Sequence, residues 1–157
     1  MSELQRLKEV VEKLRAEDGC PWDRAQTHVS LKAACIEEAA EVVAGINILE
    51  NTGNADNLKE ELGDLLLQVY FHAVIAEEEG LFTIEDVAKG ISDKMVRRHP
   101  HVFQGIEFAD DEERKAAWDK IKKEEKQGRE WQESYLAGAM DEAIELIGVA
   151  KKRKGFE

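Results

Sequence analysis

The sequence has few of the features expected of an exported or membrane-spanning protein. Among its 157 residues are only two cysteines and two prolines, and aromatic residues make up 6%. No apolar run approaches the ~20 residues of a membrane-spanning helix, and the acidic, amphipathic start does not resemble a signal peptide. We therefore expect a cytoplasmic protein that binds no membrane, in which Cys20 and Cys35 remain reduced thiols.

Positive charge is also scarce. The chain carries 22 Lys and Arg residues against 34 Asp and Glu, a formal net charge of −12 at pH 7. Such a charge repels a nucleic-acid backbone, so we expect no polymeric nucleic acid as a partner. A phosphate-bearing ligand needs a local basic patch or a bridging cation. The hydrophobic content of 43% and the length together predict one folded domain, residues 1–157.

Apolar residues recur with the 3.6-residue period of helices, and strand-like alternation is nearly absent, which predicts an all-α fold. Ser2 is the expected N-cap of a first helix, which ends before Asp18. Turn residues, glycine and proline mark the ends of the others. The spacing predicts helices from near Thr27 or Ser30 to Asn51–Asn54, from Asp56 to Gly80, from Thr83 to Pro100, around Trp118 after Asp110–Glu113, and through Met140 after Gln127–Arg129.

Four carboxylates fall on or beside the apolar faces of the two central helices. Glu38 lies within the face of the second helix with Glu41 at its edge, and Glu61 lies within the face of the third, flanked by Asp64. Burying isolated carboxylates is costly, so a converging group requires a compensating cation or raised pKa values. Carboxylate oxygens without Cys or His at ligand spacing suit Mg²⁺, with Mn²⁺ as a substitute.

The acids and histidines also allow roles that involve no magnesium. Acid pairs on helices are usually solvated, and a solvated role for the four carboxylates stays open. A di-iron bundle would use Glu-x-x-His pairs, and none of the four histidines follows a Glu by three residues. A zinc site from Cys20, His28 and Cys35 has no recognised ligand spacing. His72, on the apolar face of the third helix, is expected to be a core histidine or to support a ligand rather than to be one.

Several motifs together resemble one known family. Glu37-Glu38-Ala39-Ala40-Glu41 followed by Glu61-Leu62-Gly63-Asp64 has the EExxE and ExxD pattern of the MazG family of nucleoside triphosphate pyrophosphohydrolases. The resemblance is greatest to the first copy of tandem family members, whereas this sequence holds one copy. It runs from about residue 13 to the C-terminus, and it includes the segments Gly19–Asp23, Gln26–His28, Phe71–Ala73 and Arg97–Phe103.

The resemblance implies an all-α helical bundle that uses Mg²⁺ to hydrolyse nucleoside triphosphates to the monophosphate and pyrophosphate, by attack of water on the α-phosphorus. It implies a family core at about residues 13–105, a helical extension at about 110–157, and a homodimer. The residues assigned to catalysis are Glu37, Glu38, Glu41, Glu61 and Asp64, of which all but Glu37 would hold the metal.

A small basic cluster stands out in this acidic chain. Lys94, Arg97 and Arg98 share a helical face just before Pro100, and phosphate oxygens are their natural partners. The alternative is that these cations complement the dipole at the C-terminal end of the helix. Lys32 is a further candidate for phosphate binding.

Each of three more residues has two possible roles. Trp22 and Phe103, in expected loops beside family motifs, either stack on a nucleotide base or fill the core. Glu37 lies about 100° round the helix from Glu38. It is either the general base or an exposed or supporting residue.

Two functions from different classes therefore remain. The first is the magnesium-dependent pyrophosphohydrolase, and the second is a non-catalytic helical module that binds nucleotide or protein. The retained acids favour the enzyme. Leu66, Tyr70 and Val74 give the third helix a second apolar flank, which we expect a second copy of the chain to cover in a homodimer.

Overall fold

The computed structural model of the protein describes residues 1–156 and confirms the all-α prediction. Within those residues it contains eight α-helices, one 3₁₀ turn and no strand. None of the helices in this range is long and apolar enough to cross a membrane. The elements are α1 (Glu3–Arg15), α2 (Pro21–Arg24), α3 (Lys32–Thr52), α4 (Asp56–Glu78), α5 (Ile84–Arg98), α6 (Pro100–Phe103), α7 (Asp111–Lys126), the 3₁₀ turn (Glu130–Gln132) and α8 (Glu133–Arg153).

Local capping explains some of these ends. The Ser2 hydroxyl accepts a hydrogen bond from the Gln5 amide at 3.2 Å, as its N-cap position predicts. At the end of α3, Gly53 adopts a φ of 74° and its amide donates to the Leu49 carbonyl. That left-handed conformation favours glycine, so the chain turns there into α4.

The structure corrects four expectations about local structure. The segment before α3 is a turn, in which the Thr27 amide donates to the Ser30 hydroxyl and the Ser30 amide to the Thr27 hydroxyl, so α3 begins only at Lys32. The sequence also predicts Asp56 as the N-cap of the next helix, but Asp56 is the first residue of α4 and Ala55 is its N-cap. The short helices α2 and α6 were expected to be loops; in each, a proline occupies the first helical position, where its missing N–H is not needed.

The described chain divides into two compact units. The first comprises Met1–Ile84 together with the end of α8 from Asp141 onward, and the second comprises Glu85–Met140. The core of the first unit lies between α1 and α4, where α4 contributes most of the buried side chains. Its buried members are Val11, Leu31, Tyr70, Phe71, Val74 and Ile75.

This core corrects the expectation about the second apolar flank of α4. Tyr70 and Val74 are only 6% and 4% exposed, because they pack in the same cluster as Val11 of α1. The flank is therefore covered within the chain. It provides no argument for a second copy.

The α3–α4 hairpin positions the acidic motifs. The two helices are joined by residues 53–55 and run antiparallel, and α3 packs against α4 more extensively than against any other described element. Gly45 is buried at the crossing, where an added Cβ would lie 2.8 Å from the Cα of Leu58. Because the helices are antiparallel, the turns of α3 before Gly45 lie beside the turns of α4 after Leu58, and this register brings Glu38 opposite the turn that carries Asp64.

Candidate active site

Three carboxylates converge between α3 and α4. Oxygens of Glu38, Glu61 and Asp64 all lie within 4.8 Å of one another; Glu38 and Glu61 are half-buried, and Asp64 is exposed. Asn57, one turn before Glu61, donates its side-chain amide to a Glu61 oxygen at 2.8 Å and orients that carboxylate. The cluster contains only hard oxygen donors, which is the ligand chemistry of Mg²⁺ and Mn²⁺.

All three members of this cluster are acids, so no positive charge within the cluster balances their negative charges. Burial raises the pKa of Glu38, and the negative charges of Asp64, Glu61 and Glu37 raise it further. A carboxyl group with a raised pKa among like charges is a site where a divalent cation would relieve repulsion. The expected convergence of acids is therefore found for these three residues.

Glu37 and Glu41 face basic residues at the end of α8. Arg153 donates to both oxygens of Glu37, and Lys154 forms ion pairs with Glu37 at 3.1 Å and with Glu41. Burial alone would raise the pKa of Glu37, but the hydrogen bonds from Arg153 and Lys154 outweigh it, so the pKa is lowered. Glu41 is not among the three residues whose oxygens converge.

Two basic residues on this face were missed by the sequence reasoning. Arg153 and Lys154 end the run Lys151–Lys154, which is a concentration of positive charge in an acidic chain. That signal was visible in the sequence. Lys32, an expected phosphate ligand, instead pairs with Glu142 of α8 at 2.9 Å.

Three polar side chains, one from the turn before α3, one from α3 and one from α4, contact one another in sequence. The Nδ1 atoms of His28 and His72 are 2.7 Å apart, and the Cys35 sulfur lies 3.3 Å from Nε2 of His72. Burial lowers the pKa of His72 and the nearby His28 lowers it further, whereas burial raises the pKa of the Cys35 thiol. His72 is thus a partly buried, hydrogen-bonded histidine, and both cysteines are free thiols.

The basic cluster of α5 lies in the second unit, where an acid holds two of its members. Arg97 and Arg98 both bind Glu125 of α7, Arg97 through Nε at 2.9 Å and Arg98 through Nε at 3.0 Å. Both arginines are in the last turn of α5, where they also complement the helix dipole. Lys94, one turn earlier, is half-buried.

A cavity of about 460 Å³ opens within the second unit beside Arg98. The guanidinium of Arg98 lies 5.4 Å from the centroid of the Trp118 ring, and His99 meets the same ring edge-on. Nδ1 of His101, also in the lining, is buried and has no hydrogen-bond partner among the described residues. The sequence predicts a charged helix around Trp118 but contains no signal for a cavity there.

The two aromatic candidates are exposed. Trp22 in α2 is 67% exposed and Phe103 in α6 is 57% exposed, so neither fills a core in the described chain. Their alternative role as core residues is therefore wrong, and both rings are accessible for stacking.

These features define a class of protein before any relative is considered. The fold is all-α, and its central helix pair presents a carboxylate cluster suited to a hard divalent cation. Residues 26–103 match the MazG nucleotide pyrophosphohydrolase domain, and through this segment the chain belongs to the MazG family of hydrolases.

Similar proteins include both uncharacterised and named members. The chain is 45% identical over 150 residues to the uncharacterized protein YabN of Bacillus subtilis, covering 96% of this chain and 29% of that protein. It is 42% identical over 151 residues to the nucleoside triphosphate pyrophosphohydrolase/pyrophosphatase MazG of Thermotoga maritima, covering 94% and 54%. It is 42% identical over 127 residues to the nucleoside triphosphate pyrophosphohydrolase of Escherichia coli K12, covering 80% and 47%. The chain thus spans about half, or less, of the length of these relatives.

Proposed function

We propose that the chain hydrolyses nucleoside triphosphates, with ribose or deoxyribose, to the nucleoside monophosphate and pyrophosphate and so clears nucleotides. The observation that carries this proposal is the convergence of Glu38, Glu61 and Asp64 between α3 and α4, inside the segment that matches the MazG domain. The names of the relatives from T. maritima and E. coli support it.

The residues present fit a hard divalent cation, which we propose to be Mg²⁺ with Mn²⁺ as a substitute. Carboxylate oxygens are its preferred donors, and the like charges that raise the pKa of Glu38 are those that a cation at this position would neutralise. Glu38, Glu61 and Asp64 would hold it, joined by Glu41. The bound ion would supply charge neutralisation for the phosphates and would lower the pKa of a coordinated water.

In the proposed reaction, a bond forms between the water oxygen and the α-phosphorus while the bond from the α-phosphorus to the β-bridging oxygen breaks. Pyrophosphate leaves with that electron pair, and the water proton passes to a base. We propose Glu37 as this base. Its lowered pKa keeps it ionised at neutral pH, and its contacts with Arg153 and Lys154 weaken it as a base, so proton transfer requires these contacts to loosen.

Substrate contacts are proposed from charge and exposure. Phosphate oxygens would bind the basic side chains, and the exposed rings would stack on the base. Substitution of a true contact residue should raise KM more than it lowers kcat. The proposed residues are Lys32, Lys94, Arg97, Arg98, Trp22 and Phe103.

The test is to incubate the protein with separate NTPs and dNTPs, with and without Mg²⁺, and to resolve the products by anion-exchange chromatography. We expect monophosphate and pyrophosphate only when Mg²⁺ is present. Glu61→Gln should abolish turnover, and Glu60→Gln, which removes the same charge from the exposed neighbouring position, should not. Diphosphate with orthophosphate as the main products would contradict the proposal. Nucleotide binding without turnover would favour the non-catalytic module.

A further inference from the structure

The end of α8 and the residue that follows it place two basic side chains, Arg153 and Lys154, at one edge of the acidic cluster. The helix ends in a Schellman-type turn, in which Gly155 adopts a φ of 74° and the Phe156 amide donates to the Lys151 carbonyl at 2.9 Å. The Lys154 amide also donates to the Ala150 carbonyl at 3.0 Å. These backbone bonds hold Lys154 in a defined position beside α3.

The contacts of the two cations are not equivalent. Arg153 donates to both oxygens of Glu37, whereas the single ammonium of Lys154 bridges Glu37 and Glu41. The side chain of Glu37 is 14% exposed and that of Glu41 is 33% exposed. Arg153 therefore anchors Glu37, and Lys154 is the only basic residue in the described chain that pairs with Glu41.

Lys154 pairs with Glu41, which is the one proposed metal-holding carboxylate that does not converge with the other three. Glu38, Glu61 and Asp64 have oxygens within 4.8 Å of one another, and Glu41, one turn of α3 beyond Glu38, does not join them. Glu41 belongs to the same EExxE motif as Glu38. In the structure, the carboxylate of Glu41 is instead paired with Lys154.

We propose that Lys154 is a positioning residue that acts through Glu41. Its ammonium group pairs with this carboxylate and keeps it outside the Glu38–Glu61–Asp64 set. The ammonium group leaves Glu41 when a divalent metal ion binds the same carboxylate. The inference rests on the proposed function in one respect, namely that the acidic set binds a divalent cation. It goes further by naming a residue outside the family motifs that opposes this binding.

The chemistry of lysine suits such an exchange. An ammonium on a flexible four-carbon stem is strongly hydrated, and the Lys154 side chain is 35% exposed, so water can replace Glu41 around it. A divalent ion carries twice the charge of an ammonium group and takes about six oxygen ligands, so it can draw Glu41 into one coordination shell with the other carboxylates. The competition therefore weakens metal binding without preventing it.

The experiment measures the dissociation constants of Mg²⁺ and Mn²⁺ by isothermal titration calorimetry, without nucleotide and at fixed ionic strength. Lys154→Met removes the positive charge that contacts Glu41, and it should therefore strengthen metal binding by about 3- to 10-fold. Lys154→Gln provides a second variant if the methionine variant does not fold. Lys154→Arg keeps the charge and should bind the metal no more tightly than the wild type.

Two controls separate contact with Glu41 from general charge. Lys152→Met removes the same charge two residues earlier on α8, and it should change the dissociation constant by less than about twofold because exposed charges are screened. In a Glu41→Gln background, Lys154→Met should lose most of its effect, since the proposed competition passes through that carboxylate.

The possible outcomes are distinguishable. If the wild type binds Mg²⁺ or Mn²⁺ and Lys154→Met binds it equally, this inference is overturned and the proposed function stands. An equal gain in Lys152→Met, or an undiminished gain in the Glu41→Gln background, also overturns the inference. A wild type that binds neither ion contradicts the proposed function itself, and this inference with it.

Discussion

Glu38 combines a partly buried position with three acidic neighbours. Burial and the charges of Asp64, Glu61 and Glu37 all favour its protonated form, so its folded pKa is raised above the unfolded value. The stability associated with this group is present at low pH and is lost as the pH rises through the folded pKa. We therefore expect an ionised Glu38 to destabilise the fold of the metal-free protein at neutral pH.

We expect Glu38→Gln, which removes a proposed metal-holding oxygen, to lower turnover by about 100-fold or more and to leave the helical content intact, since loss even of a group that supports a metal ligand costs about 10- to 100-fold. Because the variant removes a repelling charge, its melting temperature without metal should be higher than that of the wild type at pH 7. Circular dichroism and a product assay measure the two effects. Asp64→Asn should also lose activity.

Either loss of folding or unchanged activity in these two variants would contradict the prediction. Unfolding of both variants would mean that these carboxylates support the fold. Retained activity in either variant would remove that residue from the proposed metal site.

We expect His72 to make the stability of the first unit depend on pH. Burial and His28 lower its folded pKa below the ordinary histidine value of about 6.5, so the unfolded chain binds a proton more readily. Stability should therefore fall as the pH decreases below about 6.5 towards the folded pKa. Thermal unfolding between about pH 7.5 and 5.5 measures this slope, and His72→Gln should flatten it. An unchanged slope in His72→Gln would assign the pH dependence to other groups.

At the scale of elements, the α3–α4 hairpin depends on a glycine where the helices cross. A Cβ at Gly45 would lie 2.8 Å from the Leu58 Cα and 3.1 Å from the Leu58 backbone nitrogen, so the backbone of α4 would have to move. Glycine is otherwise a poor helix residue. Its presence here is explained by the close approach of the two helices.

We expect Gly45→Ala to destabilise the protein by about 1–3 kcal/mol, because overpacking outweighs the gain in helix propensity. Gly148→Ala in α8 is the matched control, since nothing lies within 4 Å of the added Cβ. It should be neutral or stabilising by about 0.5–1 kcal/mol. Chemical denaturation of both variants provides the comparison. If Gly45→Ala is more stable than the wild type, α3 and α4 can move apart without loss of stability, which would contradict this prediction.

At the scale of the whole molecule, apolar side chains remain exposed on the central helices. Val43 and Ile46 of α3 are 57% and 45% exposed, and Leu62 and Val69 of α4 are 49% and 39% exposed. These positions replace Tyr70 and Val74 as the argument for a second copy of the chain. We therefore retain the homodimer as a proposal with a different interface.

We expect a particle of twice 17.8 kDa in light scattering at micromolar concentration, with a melting temperature that rises with protein concentration. Val43→Glu should shift the particle towards the single-chain mass, because it would bury an unpaired charge. Val10→Glu on α1, which is also exposed, should not. A single-chain mass for the active wild type would contradict the dimer.

The helices and their ends could be predicted from the sequence because they depend on neighbouring residues. The 3.6-residue apolar period, the Ser2 cap and the turn at Gly53 all act within a few positions. The same applies to the acidic motif, since Glu61 and Asp64 lie one turn apart on any helix. The convergence of both motifs could be inferred because a short loop forces α3 and α4 to be antiparallel neighbours.

The sequence by itself thus determined the all-α class, the family motifs and three of the four acids expected to meet between two sequential helices. Only the tertiary structure decided which groups neutralise those acids and which apolar flank of α4 is covered. Lys154 pairs with Glu41, and Val11 packs in the same cluster as Tyr70, across long separations in the chain. Helical periodicity specifies which residues share a face, but the partner of that face depends on the packing of the whole first unit, for which no local signal exists.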